Sequence, residues 1–136
     1  FLEALKEHPE QHQVLKAGLA FDPEVVMFID YQPDAAGWAR ALQIHPDGSA
    51  DVVRQRMPGL NHGMVWISRT PEQDALGFEP ATAGVEGLSA ERRKGNVRLL
   101  EGGETFTGEM QAGYLSPETA QAEVERIRAQ VTQSGR

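Results

Sequence analysis

Short segments rich in β-branched and aromatic residues run through the chain from Glu24 onward, and they constrain its fold more than any other feature. Proline, glycine and aspartate separate them, a pattern typical of strands joined by turns. The predicted strands cover residues 24–30, 38–45, 50–56, 63–68, 75–79, 96–100 and 105–114. Because helical segments do not alternate with these strands, the pattern predicts an all-β, mainly antiparallel sandwich or barrel, of which we favour the β-sandwich.

Two tight reversals are expected between the strands. The first is the stretch 45–49 (HPDGS), in which proline fixes one backbone angle and glycine allows a positive one, so it should join two antiparallel strands. The second is the stretch 101–104 (EGGE), by the same reasoning. Residues 84–95 are polar enough to form a surface excursion that contains a short helix.

The two ends of the chain differ from its middle. Ser116 can cap a helix whose first position is Pro117, and the apolar residues that follow recur at spacings of three and four: Ala120, Val124, Ile127 and Val131. This amphipathic helix should end near Gln133 and lie outside the sheets or on a partner. We therefore divide the chain into a helical or irregular segment (1–20), a β-sandwich domain (21–115) and a C-terminal helix (116–136).

Composition excludes several functional classes. The 136 residues contain no cysteine, which rules out disulfide scaffolds, thiolate zinc sites and cysteine nucleophiles. A net charge of -7 argues against binding to nucleic acid or to an anionic membrane surface. No apolar run approaches the roughly 20 residues of a membrane helix. We expect a soluble, cytoplasmic protein.

The sequence gives no support for a metal or a cofactor. His8 and His12 have helical ligand spacing, but Pro9 follows the first histidine where the zinc-protease motif has glutamate, and no third ligand of matching spacing follows. A glycine-rich phosphate loop and a nucleophile elbow are also missing. We predict neither a metal site nor a bound cofactor.

Glu79 is the strongest candidate for chemistry. Within the stretch 75–80 (ALGFEP), Leu76 and Phe78 should point to one face of a strand, and Glu79 to the other face beside two small residues. Small neighbours leave a recess beside the carboxylate, and Pro80 keeps Glu79 extended. The pattern fits a general base, and it also fits a glutamate at the rim that simply closes a strand.

Three stretches resemble a known family when they are taken in order. They are 64–67 (MVWI), 76–80 (LGFEP) and 95–106 (GNVRLLEGGETF). Together they resemble the C-terminal part of the galactose mutarotase-like (aldose 1-epimerase) family, whose hexose-6-phosphate mutarotase-like branch has a Val-Trp pair shortly before the catalytic glutamate. The resemblance covers roughly residues 40–114 and aligns Glu79 with the catalytic base of that family.

The resemblance implies an isomerase that interconverts sugar anomers by general acid–base catalysis without a cofactor. Trp66 would stack on a small-molecule sugar, and His62 would contact it from a loop. Arg69, with Arg54 and Arg56, is a candidate cation beside the carboxylate. The acid histidine of the family lies in an upstream half, so the resemblance assigns that role to no histidine of this chain.

Two other functions fit the same pattern. One is a carbohydrate-binding sandwich without catalysis, and the other is an interaction module whose terminal helices dock on a partner. An incomplete sandwich would expose sheet edges and apolar faces. We expect either a second subunit of a homo-oligomer or a missing N-terminal segment of the same protein to cover them.

Overall fold

A computed structural model of the protein describes residues 2–8, 10 and 13–134. Pro9 and His12, which belong to the histidine pattern considered above as a metal site, lie outside the described residues. In chain order the elements are α1 (Leu2–Glu7), β1 (Phe21–Phe28), β2 (Trp38–Ile44), β3 (Ala50–Arg56), β4 (His62–Arg69), β5 (Asp74–Ala81), α2 (Leu88–Lys94), β6 (Met110–Leu115) and α3 (Pro117–Ser134). None of the helices in this part of the chain combines the length and apolarity that a membrane crossing requires.

The strands form two three-stranded sheets in which every neighbouring pair is antiparallel. The first sheet has the order β1-β4-β5 and the second the order β2-β3-β6. The predicted reversal at 45–49 joins β2 to β3: the His45 N–H donates to the Ser49 carbonyl at 2.8 Å, and Gly48 has a φ of 87°. The mainly antiparallel β class and the first turn are therefore confirmed.

One face of the first sheet carries an apolar core. Phe21, Val25, Val65 and Ile67 are buried at its centre, and Leu76 and Phe78 are among the half-buried residues that pack against them. The predicted alternation along β5 is confirmed, because these two residues are paired with Ile67 and Val65 and so share their face. Glu79 therefore lies on the opposite face.

The second sheet is covered by α3. The helix begins at Pro117 as predicted, and Ala120 is buried where α3 packs on β2 and β6. The helix also buries Glu123, whose side chain reaches Arg54 of β3 and Arg40 of β2. An ion network that the apolar pattern did not predict therefore fixes this helix to its sheet.

The contacts between the two sheets are few among the described residues. Among the described residues, the core cluster of the first sheet contains no residue of the second. A polar contact joins the two sheets: the Gln55 amide donates to the carbonyls of Leu60 and His62 at 2.7 and 2.8 Å. Face-to-face packing as a sandwich stays a prediction.

Two predicted strands are wrong in whole or in part. Residues 96–100 form no strand, and β6 begins at Met110 instead of residue 105. The turn between them does form, since the Glu104 N–H donates to the Glu101 carbonyl at 3.0 Å. The Arg98 guanidinium, before this turn, lies 4.4 Å from the centre of the Phe106 ring, which follows it. The two segments are therefore joined by this cation–π contact, where the predicted strands would have been joined by backbone hydrogen bonds.

Replacing Gly63 by alanine should destabilise the first sheet by about 1–3 kcal/mol, the usual cost of overpacking. A methyl group at Gly63 would overlap Cε2 of Tyr31 and lie 3.1 Å from Oε1 of Gln55, so the ring must move. Urea unfolding measures the loss, and Gly102→Ala is the matched control because no atom lies within 4 Å of its added methyl group. Equal stability of the two variants would show that the Tyr31 ring moves away at no cost.

Candidate functional site

Three of the predicted site residues share one face of the first sheet. Trp66 is paired with Gly77, Met64 with Glu79, and His62 with Ala81 along the β4–β5 ladder. Paired residues of an antiparallel ladder point to the same side, so Trp66, Glu79 and His62 all lie on the face opposite the apolar core. Glu79 is flanked diagonally by Trp66 on one side and His62 on the other, within reach of long or aromatic side chains.

The carboxylate of Glu79 and the indole of Trp66 converge over Gly77. A methyl group at Gly77 would lie 3.2 Å from Oε1 of Glu79 and 3.5 Å from Cε3 of Trp66. Because Gly77 has no side chain, the carboxylate can lie against its own strand beside the edge of the indole. Both residues are half-buried, so this pair forms a shallow, accessible surface.

Arg69 lies on the other face of the sheet. Arg69 comes three positions after Trp66 on β4, and residues an odd number of positions apart on a strand point to opposite faces. The Arg69 side chain donates to the Asp74 carboxylate at 3.0 Å and to the Lys16 carbonyl at 3.0 Å. The other two candidate cations are also engaged elsewhere: Arg54 with Glu123, and Arg56 over the ring of Trp38. The structure therefore does not bring these arginines to Glu79.

His62 was predicted to lie in a loop, but it is the first residue of β4 and is half-buried. Its Nδ1 lies 3.1 Å from Oδ1 of Asn61, and its backbone carbonyl accepts the amide of Gln55. His62 is thus placed on the same face as Glu79, with one ring nitrogen held by its neighbour.

A cavity of about 490 Å³ lies in the segment 82–98, where a surface excursion was predicted. Its buried group is Glu91, only 3% exposed, whose carboxylate accepts the N–H of Gly84 at 2.9 Å and the side-chain amide of Asn96 at 2.7 Å. Lys94 adds a third contact at 3.2 Å. The predicted surface excursion with a short helix is confirmed, since most of residues 84–95 are exposed and α2 lies within them, but the burial of Glu91 was not predicted.

Neither described cavity encloses Glu79. The cavity at 82–98 is not lined by Glu79, Trp66 or His62, and a second cavity of about 290 Å³ lies around Arg69 and Asp74. The candidate site is therefore the open face over Gly77.

The loop around Glu91 should loosen on acidification. The hydrogen bond from Asn96, and after it the one from Gly84, holds the pKa of Glu91 below its ordinary value. A carboxyl whose pKa is lowered by folding contributes stability above its unfolded pKa of about 4.3, and this stability is lost as the pH falls through the folded pKa.

Glu91→Gln should therefore flatten the fall in unfolding free energy between pH 6 and pH 3, which urea titrations at several pH values can measure. Glu109→Gln, a change at an exposed glutamate, is the control and should keep the wild-type slope. An unchanged slope in Glu91→Gln would contradict the stabilising role of this carboxylate.

The fold and the site define a two-sheet antiparallel β protein with an aromatic and a carboxylate side by side on an open sheet face. No protein-family model, curated protein or solved structure matches this chain.

Proposed function

We propose that this chain acts on a small-molecule sugar at the face that carries Glu79 and Trp66, and that it interconverts sugar anomers in the manner of an aldose 1-epimerase. The observation that carries the proposal is the convergence of the Glu79 carboxylate and the Trp66 indole over Gly77. A flat apolar ring can pack on the C–H face of a pyranose, while a carboxylate beside it accepts hydroxyl protons.

The reaction is a proton transfer at two neighbouring oxygens. The Glu79 carboxylate takes the proton of the anomeric hydroxyl, while an acid protonates the ring oxygen and the bond from that oxygen to the anomeric carbon breaks. Rotation of the open-chain aldehyde and reclosure on its other face give the other anomer and return both protons. Each positioned acid or base contributes about 10²–10⁴ in rate.

The resemblance to the galactose mutarotase-like family supports the same assignment. It places Glu79 on the catalytic base of that family and Trp66 in the Val-Trp pair before it. On this basis the two sheets would be the C-terminal part of a galactose mutarotase-like sandwich, in a cytoplasmic protein of carbohydrate metabolism.

Carbohydrate binding without catalysis is the second candidate. It is favoured by one observation: the three arginines considered as cations for Glu79 are bound to other groups or lie away from it. A face that binds a sugar but has no cation beside its carboxylate would be a simple lectin-like surface.

Mutarotation of freshly dissolved α-glucose and α-galactose, followed by polarimetry, tests the proposal. We expect both sugars, or one of them, to reach anomeric equilibrium faster with the protein than in buffer. A Glu79→Gln preparation, purified identically, controls for contaminating mutarotase. Rates equal to those in buffer overturn the catalytic proposal, and binding detected at the Trp66 indole N–H by NMR would then favour the second candidate.

A further inference from the structure

The outer edge of β6 differs from the other sheet edges of the molecule. β6 pairs with β3 on one side, and among the described residues no strand pairs with its other side. Its six residues carry no charge, whereas charged residues stand on each of the other edge strands: Asp22 and Glu24 on β1, Arg40 on β2, Asp74 and Glu79 on β5. Charges on an edge discourage pairing with another chain, and β6 has none.

The side chains along this edge are also apolar and exposed. Met110, Ala112 and Tyr114 are paired with Gln55, Val53 and Asp51, so they lie on the face of the second sheet that α3 does not cover. Met110 is 57% exposed and Tyr114 66% exposed.

The chain also exposes more surface than its mass requires. Its accessible surface is 9259 Å², whereas a folded monomer of 14.9 kDa typically exposes about 7,000 Å². The difference, about 2,000 Å², exceeds the roughly 800 Å² that each partner buries in a standard interface.

We propose that a second copy of this chain pairs with the β6 edge. The two β6 strands run antiparallel about a two-fold axis at Ala112, so that the β2-β3-β6 sheets of the two copies become one six-stranded sheet. This register sets Met110 of one copy opposite Tyr114 of the other, a favourable sulfur–aromatic pair, and Gln111 opposite Gly113. No like charges meet across the axis. The same pairing at β1 would bring acidic residues of the two copies together.

Sedimentation analysis of the purified chain between about 1 and 100 μM tests the proposal. We expect the mass to rise towards twice 14.9 kDa with concentration. Ala112→Lys puts two ammonium groups opposite each other at the axis and should give the monomer mass. Ala129→Lys, the same change at an exposed position of α3, should dimerise like the wild type.

A second variant keeps the test valid if Ala112→Lys fails to fold. The chain has no cysteine, so Ala112→Cys introduces a single thiol at the axis. A short bifunctional maleimide should join two chains at this position, since the Cβ atoms of directly opposed residues lie about 4.5–5.5 Å apart, just beyond the span of a disulfide. Ala129→Cys should not crosslink. A monomer at every concentration, or a dimer that the Ala112→Cys variant forms without crosslinking, overturns the proposal.

Discussion

Replacing Glu79 by glutamine should lower the rate of sugar anomerisation by about 10²–10⁴-fold, the usual contribution of one positioned base. Glutamine has nearly the same shape as glutamate, but its amide cannot take the proton of the anomeric hydroxyl. Because Trp66 and the space over Gly77 are unchanged, sugar binding should be retained, so kcat should fall while KM changes little. Polarimetry over a range of sugar concentrations separates the two constants.

The control for this variant is Glu109→Gln, the same chemical change at an exposed residue outside the site. It should keep the wild-type kcat. Gly77→Ala gives a second comparison, since its methyl group would lie 3.2 Å from Oε1 of Glu79 and displace the carboxylate by a few tenths of an ångström. If Glu79→Gln keeps the wild-type kcat, proton abstraction does not pass through this carboxylate.

Local patterns predicted most of the fold. The alternation around Leu76 and Phe78 oriented β5 correctly, and Pro117 marked the first residue of α3. The strand predicted at 96–100 failed for a physical reason: a strand requires a hydrogen-bonded neighbour, and none of the described strands pairs with this segment, whose one β-branched residue is Val97.

The candidate site was predictable only in part. Once the predicted strand 63–68 is extended by one residue at each end, strand parity places His62 and Trp66 on one face of β4 and Arg69 on the other, so the separation of Arg69 from the site depends only on the strand bounds. The register that brings Gly77 opposite Trp66 could not be predicted from the sequence, because it depends on how two strands align across a turn.

Buried carboxylates were the main omission. Glu91 and Glu123 both stand in polar sequence, and no local pattern distinguishes Glu123 from a solvated glutamate. Glu123 is bound to Arg54, which is 69 residues away in the chain, so its burial follows from tertiary packing. For Glu91 a weak sequence signal exists. Asn96 follows Gly95, the C-cap residue of α2, and its side-chain amide donates a hydrogen bond back to the Glu91 carboxylate in that helix.

Replacing Glu123 by alanine should lower the free energy of unfolding by about 3–5 kcal/mol, the usual cost of removing one partner of a buried ion pair. Its Oε1 lies 2.8 Å from a guanidinium nitrogen of Arg54, and its Oε2 lies 3.2 Å from Nε of Arg40. The side chains of Glu123 and Arg40 are 7% and 6% exposed, so the loss of the carboxylate leaves a buried cation that, among the described residues, has Asp34 as its one remaining ion-pair partner.

Urea unfolding at pH 7 measures the effect, and Glu125→Ala is the control because it removes an exposed glutamate from the same helix. The control should lose less than about 1 kcal/mol, as surface changes usually do. Replacing Arg40 and Glu123 together by leucine should recover much of the loss, since a matched apolar pair leaves no buried charge between them. Arg54, whose side chain is 28% exposed, can then turn towards water. If Glu123→Ala costs no more than the control, water reaches these charges, and the network does not hold α3 to the sheet.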